Sequence, residues 1–296
     1  MSGAVLITGA TGRLGHALTA VFGSEAAASR RSDYDLDVPA AADALIRRQR
    51  PGTVIHCAAW TDVDACAREP ELAMRRNGIA VGELGTACAA AEIDLVVVST
   101  NEVFAGDRCD GAYAADDEPA PINAYGRSKL AGEHAARDAF AGARSRLFIV
   151  RTAWLFGDPG NDFPEKIVLA ARGARANGRP LRLVDDEIGT PSYAADVARF
   201  IHALVKNPAR GTVHHAVSLG RTSRADWALE ILRLAAEWPT IERVPLSSWR
   251  RDSTPPRCAA LSPSRLADGP TPRTWQAATA EYVPVVLRRI AATTPR

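Results

Sequence analysis

Short apolar runs alternate with helical patterns through the first half of the chain. The runs at 5–8, 53–57, 95–99 and 147–150 are nearly continuous in apolar residues. Runs of this kind, bounded by polar turns, are typical of strands that are buried on both faces of a parallel sheet. The alternation therefore predicts an α/β fold in which a doubly wound parallel sheet is covered by helices. The helical patterns between the runs cover residues 14–22, 39–49, 71–91 and 128–140.

A glycine-rich turn follows the first run directly. Gly9, Gly12 and Gly15 are spaced three residues apart, between the predicted strand and the helical pattern at 14–22, and Thr11 lies in the same turn. Glycine permits a tight turn and lets the backbone approach a pyrophosphate, whose oxygens the free amides of a helix N-terminus can bind. The turn therefore predicts a dinucleotide-binding site at the start of the chain.

Two arginines stand where the second strand is expected to end. An acidic residue there would accept hydrogen bonds from the ribose 2′-hydroxyl and select NAD, whereas Arg30 and Arg31 suit a 2′-phosphate. We therefore expect NADPH, and NADH stays the alternative if these arginines form a solvated loop. Asp35 and Leu36 follow at the place where a carboxylate can accept from the adenine amino group.

Tyr125 and Lys129 lie four residues apart in a predicted helix, and hence on one face of it. A neighbouring ammonium group and a positively charged nicotinamide both stabilise a phenolate, so we expect Lys129 and the nicotinamide together to lower the pKa of Tyr125 from its ordinary value of about 10. Thr100 follows the strand at 95–99, and ligands of open α/β sheets bind at the carboxyl ends of strands. The three residues predict a catalytic set in which Tyr125 transfers a proton and Thr100 holds a carbonyl oxygen.

The charge balance and the cysteines restrict partners and location. Thirty-six Lys and Arg oppose 34 Asp and Glu, and the basic residues are scattered, so no nucleic-acid surface is expected. No run approaches about 18 uninterrupted apolar residues, and no signal-peptide pattern precedes the first strand, so we expect neither a membrane segment nor export. Five cysteines without a CxxC pattern predict reduced thiols, no zinc site and a cytoplasmic location.

Six sequence blocks are distributed between residues 6 and 196, at 6–15, 56–64, 99–104, 122–133, 151–157 and 184–196. The second, HCAAWTDVD, is similar to the segment NAAAYTAVD of a known family, and the third, STNEVF, stands beside that family's STDYVF. On these blocks the sequence resembles the dTDP-4-dehydrorhamnose reductases, a branch of the extended short-chain dehydrogenase/reductases. The last two blocks are specific to that branch.

The resemblance implies NADPH-dependent reduction of the C4 keto group of a dTDP-4-keto-6-deoxyhexose, giving dTDP-L-rhamnose or a related deoxysugar. It implies that Thr100, Tyr125 and Lys129 are catalytic, that Tyr125 and Lys129 also contact the cofactor, and that Trp154 contacts the sugar with Thr100 and Asn101. A homodimer is compatible with it. The other residues that it places at the cofactor are Gly12, Arg13, Leu14, Asp35, Leu36, Ala58, Ala59 and Trp60.

Asn101 and Glu102 depart from the Asp-Tyr that these reductases usually carry after the threonine. Nucleotide-sugar 4,6-dehydratases carry Asp-Glu there and use both carboxylates for acid–base elimination. We therefore place Glu102 among the substrate contacts and keep an epimerase or 4,6-dehydratase as an alternative, although Asn101 cannot protonate a leaving hydroxyl. A second alternative is a non-catalytic NADP-binding subunit, like the regulatory subunit of methionine adenosyltransferase, which is similar to these reductases.

The regular alternation breaks at about Trp154, where Pro and Gly become frequent. We expect residues 1–152 to form a Rossmann-type NADP-binding domain, and residues 153–296 to form a smaller mixed α/β substrate lobe interleaved with the last sheet elements. Mg²⁺ is conceivable at the acids 185–187, but three consecutive side chains cannot all face one ion, so we expect a solvated turn and assign no metal ligand.

Overall fold

The computed structural model describes residues 4–207 and 213–293, which contain a central sheet of six parallel strands and three two-stranded sheets. The strands are β1 (Val5–Thr8), β2 (Ala26–Ser29), β3 (Thr53–His56), β4 (Asp94–Thr100), β5 (Leu147–Thr152), β6 (Leu155–Phe156), β7 (Leu181–Val184), β8 (Ile188–Gly189), β9 (Ser192–Tyr193), β10 (Val213–His215), β11 (Thr222–Ser223) and β12 (Ile241–Val244). In the central sheet they lie in the order β2-β1-β3-β4-β5-β10.

Ten α-helices lie within the described ranges, and none of them is both long and apolar enough to cross a membrane. One π-helical turn, Arg75–Ile79, interrupts the region 71–91 that the sequence predicts as a continuous helix. The helices are α1 (Arg13–Phe22), α2 (Ala41–Gln49), α3 (Val63–Arg68), α4 (Pro70–Met74), α5 (Ala80–Ala90), α6 (Ala124–Ala139), α7 (Phe163–Ala176), α8 (Ala194–Lys206), α9 (Arg224–Leu234) and α10 (Trp275–Thr293).

Successive residues of the central strands enter two different cores. Ile7 and Ile55 pack with α1 and α8 on one face of the sheet. Leu6 and Val54 pack with α2, α5 and α6 on the other face. Because neighbouring side chains of a strand point to opposite faces, a strand that is covered on both sides is largely apolar. The prediction of a doubly wound parallel sheet is therefore confirmed.

The carboxyl ends of the strands meet at one edge of the sheet. Thr8 pairs in register with Ser29 on β2 and with His56 on β3, and Thr100 at the end of β4 pairs with Thr152 on β5. From β1 the chain passes to β2 on one side, and from β3 it passes to β4 on the other side. Because the chain leaves β1 and β3 in opposite directions, a crevice opens between the carboxyl ends of these two strands. The glycine turn lies at this crevice.

Residues after 153 build a second core and also complete the sheet. The second core is largely aromatic: Trp227 on α9 stacks on Phe163 of α7, and Phe156 and Tyr282 pack against each other in the same cluster. However, β10 pairs with β5 at the sheet edge, and α8 packs on α1. The two halves of the chain are thus interleaved, and the boundary at residue 152 stays a prediction.

Cys109 and Cys258 form a disulfide, so the expectation of five reduced thiols is wrong for this pair. The two residues are 149 positions apart in the sequence. They meet because the segment around Cys258 runs beside the loop that follows β4, where the Cys258 amide donates to the carbonyl of Gly106 at 2.8 Å. Sequence spacing carries no sign of such a contact. Cys57, Cys66 and Cys88 are free.

Candidate active site

Two adjoining cavities open at the carboxyl edge of the sheet, and Gly9, Gly12 and Ala59 line both of them. The larger cavity, of about 390 Å³, reaches from the glycine turn to β4, α6 and the segment after β5. The smaller cavity, of about 260 Å³, lies at the turn after β2. The remaining predicted site residues divide between them: Arg13, Leu14, Gly15, Thr100, Asn101, Glu102, Tyr125, Lys129 and Trp154 line the larger, and Thr11, Arg30, Arg31, Asp35, Leu36, Ala58 and Trp60 the smaller.

The glycine turn leaves room for a ligand at the start of α1. Gly9 has φ +66°, and a Cβ there would lie 2.7 Å from the Ala58 nitrogen. A Cβ at Gly15 would collide with the carbonyl oxygen of Gly9. No side chain caps α1 at Gly12, and Gly12, Arg13, Leu14 and Gly15 all line the larger cavity. Backbone amides at a helix N-terminus favour an anion such as a pyrophosphate.

Asn123 positions the helix that carries Tyr125 and Lys129. Its side-chain oxygen accepts a hydrogen bond from the Gly126 amide at 2.8 Å, which caps the N-terminus of α6. The buried Lys129 ammonium donates to the carbonyl of Val98 on β4 at 2.7 Å. Since β4 ends at Thr100, this hydrogen bond ties the helix to the strand that carries the third predicted catalytic residue.

Burial is the largest influence on the pKa values of Tyr125 and Lys129. The pKa of Tyr125 is raised well above its ordinary value, first by burial and then by the negative charge of Glu102, while a hydrogen bond with Thr100 opposes the rise. Burial lowers the pKa of Lys129 to about 8, against the opposing charge of Glu133. Burial is the largest cause of the raised pKa of Tyr125, and Lys129 is not among the groups that shift it. The expectation that Lys129 together with a positively charged nicotinamide lowers this pKa stays a prediction. At neutral pH Tyr125 carries its proton and Lys129 is mostly charged.

Three arginines line the smaller cavity. Arg30 and Arg31 come from the turn after β2, as predicted, and Arg31 lies 3.4 Å from a carboxylate oxygen of Asp37. Arg76, from the π-helical turn, donates to both carboxylate oxygens of Asp37 at 2.7 and 2.6 Å and lies 4.9 Å above the ring of Trp60. Arg76 was missed by the sequence analysis, since nothing local to it shows that this turn reaches the cavity.

Arg224 lies beside Trp154 at the other end of the larger cavity and was also missed. Its guanidinium carbon stands 3.5 Å from the centroid of a Trp154 ring. Its Nε and Nη2 both donate to Oε1 of Glu187, at 3.2 and 3.1 Å. A Cβ at Gly189 would collide with the Trp154 ring, so glycine is required there for the ring to pack. Trp154 is thus held between a backbone segment and a cation.

The three consecutive acids after β7 face different partners. Asp185 pairs with Arg243, Asp186 accepts from the Leu246 amide at 2.6 Å, and Glu187 pairs with Arg224. Glu187 is buried, so the expectation of a solvated turn is wrong for this residue. Within residues 4–207 and 213–293 no group of three or more His, Cys, Asp or Glu side chains could hold a metal ion.

The sequence of this protein matches a known family and its members. The family described as RmlD substrate binding domain matches residues 3–287. A dTDP-4-dehydrorhamnose reductase of Mycobacterium tuberculosis is 39% identical over 288 residues, which cover 93% of this chain and 91% of the relative. The chain belongs to the dTDP-4-dehydrorhamnose reductase family. The resemblance inferred from the sequence blocks is therefore confirmed.

Solved members of the reductase family share the whole fold. A dTDP-4-dehydrorhamnose reductase of Clostridium acetobutylicum superposes with a TM-score of 0.88 at 29% identity, covering 96% of this chain and 99% of that one. One from Bacillus anthracis, solved in complex with NADP, has a TM-score of 0.86 at 29% identity and covers 95% and 99%. A Streptomyces niveus relative, 34% identical over 95% of this chain and 96% of its own, is named dTDP-4-keto-6-deoxy-D-glucose reductase. The reductase family thus includes proteins named for different dTDP sugars.

Proposed function

We propose that this protein uses NADPH to reduce the C4 keto group of a dTDP-4-keto-6-deoxyhexose, giving dTDP-L-rhamnose or a related deoxysugar. The observation that carries the proposal is that Thr100, Tyr125 and Lys129 line one cavity together with the glycine turn. The membership of the chain in the dTDP-4-dehydrorhamnose reductase family supports the same substrate class. The NADP complex of the Bacillus anthracis relative supports the cofactor.

The residues of the cavity divide the work of this reaction. NADPH, when bound, supplies the hydride. Thr100 holds the keto oxygen by a hydrogen bond, and Tyr125 gives its proton to that oxygen as negative charge develops on it. The raised pKa of Tyr125 keeps the proton in place until then. The charged Lys129 stabilises the phenolate that is left and binds the ribose next to the nicotinamide.

The two halves of the chain contribute different parts of the proposed site. Residues 1–152 carry the proposed cofactor contacts, from the glycine turn to Lys129. Residues 153–296 bring Trp154 and Arg224 to the far end of the larger cavity, where Asn101 and Glu102 also lie. We therefore propose that the sugar nucleotide binds between the two halves, against Trp154.

Turnover of a defined substrate tests the proposal against its alternatives. The purified protein is mixed with NADPH and dTDP-4-keto-6-deoxy-L-mannose, and NADPH oxidation and the product are followed by absorbance and NMR. Consumption of NADPH with a new C4 hydroxyl supports the reductase. Tight NADP binding without turnover would instead indicate a non-catalytic subunit, and loss of water from a dTDP-hexose would indicate a dehydratase.

The cofactor preference makes a separate prediction for Arg30 and Arg31. The double variant Arg30→Ala/Arg31→Ala is expected to raise KM for NADPH about 10- to 100-fold, since it removes charge-assisted hydrogen bonds to the 2′-phosphate. KM for NADH, which lacks that phosphate, should change little. Steady-state kinetics with both cofactors measure the effect, and Arg47→Ala, an exposed arginine on α2, is the control. An equal rise in KM for NADPH and for NADH would contradict the assignment of Arg30 and Arg31 to the 2′-phosphate.

Oligomeric state and location belong to the same proposal. A homodimer stays a prediction, which sedimentation of the purified protein measures. A cytoplasmic location fits the three free thiols, whereas the Cys109–Cys258 disulfide counts against it, because disulfides are rare in reducing compartments. Thiol labelling of the native protein in cell extract shows which state the pair holds.

A further inference from the structure

Glu102 brings to the larger cavity a carboxyl group that the proposed reduction does not use. It lies in the short turn that follows β4, two residues after Thr100, and lines the cavity with Thr100 and Tyr125. Within the described residues one hydrogen bond reaches this carboxyl, from Nδ2 of Asn123 to Oε2 at 2.7 Å. Oε1 is therefore left for a molecule in the cavity. The neighbouring carboxyl of Glu187 differs, since Arg224 neutralises it.

The carboxyl of Glu102 is fixed relative to the helix that carries Tyr125. Asn123, which donates to it, caps α6 through Gly126 and also donates to the carbonyl of Thr254 at 3.1 Å. The backbone carbonyl of Glu102 packs so closely on Gly126 that a Cβ at this position would collide with it. The side chain and the backbone of Glu102 are thus both held against the first turn of α6. The carboxyl therefore has a fixed position in the cavity, unlike the carboxyl of a mobile side chain on the surface.

Burial raises the pKa of Glu102, and the charge of Glu187 adds to the rise, while the hydrogen bond from Asn123 opposes it. A raised pKa makes the Glu102 carboxylate a stronger base than a solvent-exposed carboxylate, which suits it to take up a proton during a reaction. Its charge also raises the pKa of Tyr125, so the two groups act on each other across the cavity. Among the described residues, five titratable or charged side chains interact with Glu102. They are Tyr125 on α6, Glu187 after β7, Arg224 on α9, Arg251 in the segment before Cys258, and Cys66 on α3.

We propose that Glu102 catalyses proton exchange at a ring carbon next to the keto group of the bound sugar. The proposal rests on the proposed function only in taking a 4-keto sugar as the ligand. The carboxylate removes a proton from C3 or C5, the C–H electron pair forms a double bond to C4, and the carbonyl pair moves to the keto oxygen. That oxygen takes the proton of Tyr125 while Thr100 holds it. The reverse steps return a proton to carbon, and no electrons are gained or lost.

Deuterium exchange separates this activity from reduction. The protein is incubated in D₂O with NADP⁺, which has no hydride to give, and dTDP-4-keto-6-deoxy-L-mannose, and the C3 and C5 hydrogens are followed by NMR. We expect exchange at one of these carbons at least about tenfold faster than without protein. Glu102→Gln is expected to slow the enzymatic part by about 10²-fold or more, since it removes the base. Glu71→Gln, an exposed acid on α4, is the matched control.

The pH profile keeps the test decisive even where the Gln variant is poorly folded. Exchange by the unaltered protein should rise with pH as the carboxyl loses its proton, with a midpoint above the ordinary pKa of Glu. Glu187→Gln should move that midpoint to lower pH, because it removes a neighbouring negative charge. A midpoint that does not move would contradict the proposal.

The two proposals fail in different ways. Absence of NADPH oxidation by the unaltered protein with this sugar counts against the reductase itself. Normal NADPH oxidation without exchange above the protein-free rate overturns the role of Glu102 and leaves the reductase standing. Exchange that persists at full rate in folded Glu102→Gln overturns it as well, since the base then lies elsewhere.

Discussion

Tyr125→Phe is expected to lower kcat for NADPH-dependent ketone reduction by about 10²- to 10⁴-fold, the range that a positioned proton donor contributes. The phenol is buried and its pKa is raised, so it is protonated at neutral pH, as the proposed proton source for the keto oxygen must be. Phe keeps the ring and its packing against α3 but has no proton to give. Steady-state kinetics with the dTDP-4-keto sugar measure kcat.

A second tyrosine provides the control for this experiment. Tyr193 also has a raised pKa, but it lies in the aromatic core, where it stacks on Phe156 at 5.4 Å. Tyr193→Phe should therefore leave kcat near that of the unaltered protein. The dissociation constant of NADPH, measured by fluorescence, should change far less than kcat in Tyr125→Phe. A variant that keeps full turnover would remove Tyr125 from the catalytic set.

Glu133→Gln is expected to lower the free energy of unfolding by about 3–5 kcal/mol, the cost of leaving a buried charge without its partner. Glu133 on α6 and Arg151 on β5 form an ion pair with both side chains at most 2% exposed. Two hydrogen bonds join them, from Nε at 3.0 Å and from Nη2 at 2.7 Å. Among the described residues Glu133 is the side chain that forms an ion pair with Arg151, so loss of its carboxylate leaves the cation unpaired. Urea unfolding followed by circular dichroism measures the loss.

An exposed pair with the same two-bond geometry isolates the effect of burial. Arg233 donates from Nε and Nη2 to the two carboxylate oxygens of Glu230, both at 2.7 Å, on the surface of α9. Glu230→Gln should leave stability nearly unchanged, because water solvates an exposed arginine that loses its partner. Equal losses in the two variants would mean that burial is not the cause. The double variant Glu133→Gln/Arg151→Met should recover part of the loss, since it removes the unpaired charge.

Much of the proposed cofactor site could be predicted because its signals are local. The glycine turn, the end of β2 and the Tyr125–Lys129 spacing each depend on residues within a few positions of one another. Asn123 was missed, yet a signal was present: Asn is a favoured N-cap and stands directly before the predicted catalytic helix. Its second role, holding the Glu102 carboxyl, has no such signal.

The substrate side was less predictable because it is assembled from distant segments. Arg224 reaches Trp154 and Glu187 from a helix that begins about 70 residues after Trp154 in the chain. The disulfide joins residues 149 positions apart. The π-helical turn that brings Arg76 to the smaller cavity lies inside a helical pattern that looks regular in the sequence. None of these contacts follows from spacing or composition.

The sequence by itself determined the doubly wound sheet, the reductase family and the residues expected to meet cofactor and sugar. It could do so because apolar periodicity, glycine turns and helix spacing act over short stretches of chain. The tertiary structure alone decided the protonation of Tyr125, Lys129 and Glu102, because a pKa depends on burial and on charges that distant segments supply. For the same reason only the structure showed that the Glu102 carboxyl lines the cavity with one hydrogen bond from Asn123 among the described residues, while Glu187 forms an ion pair with Arg224.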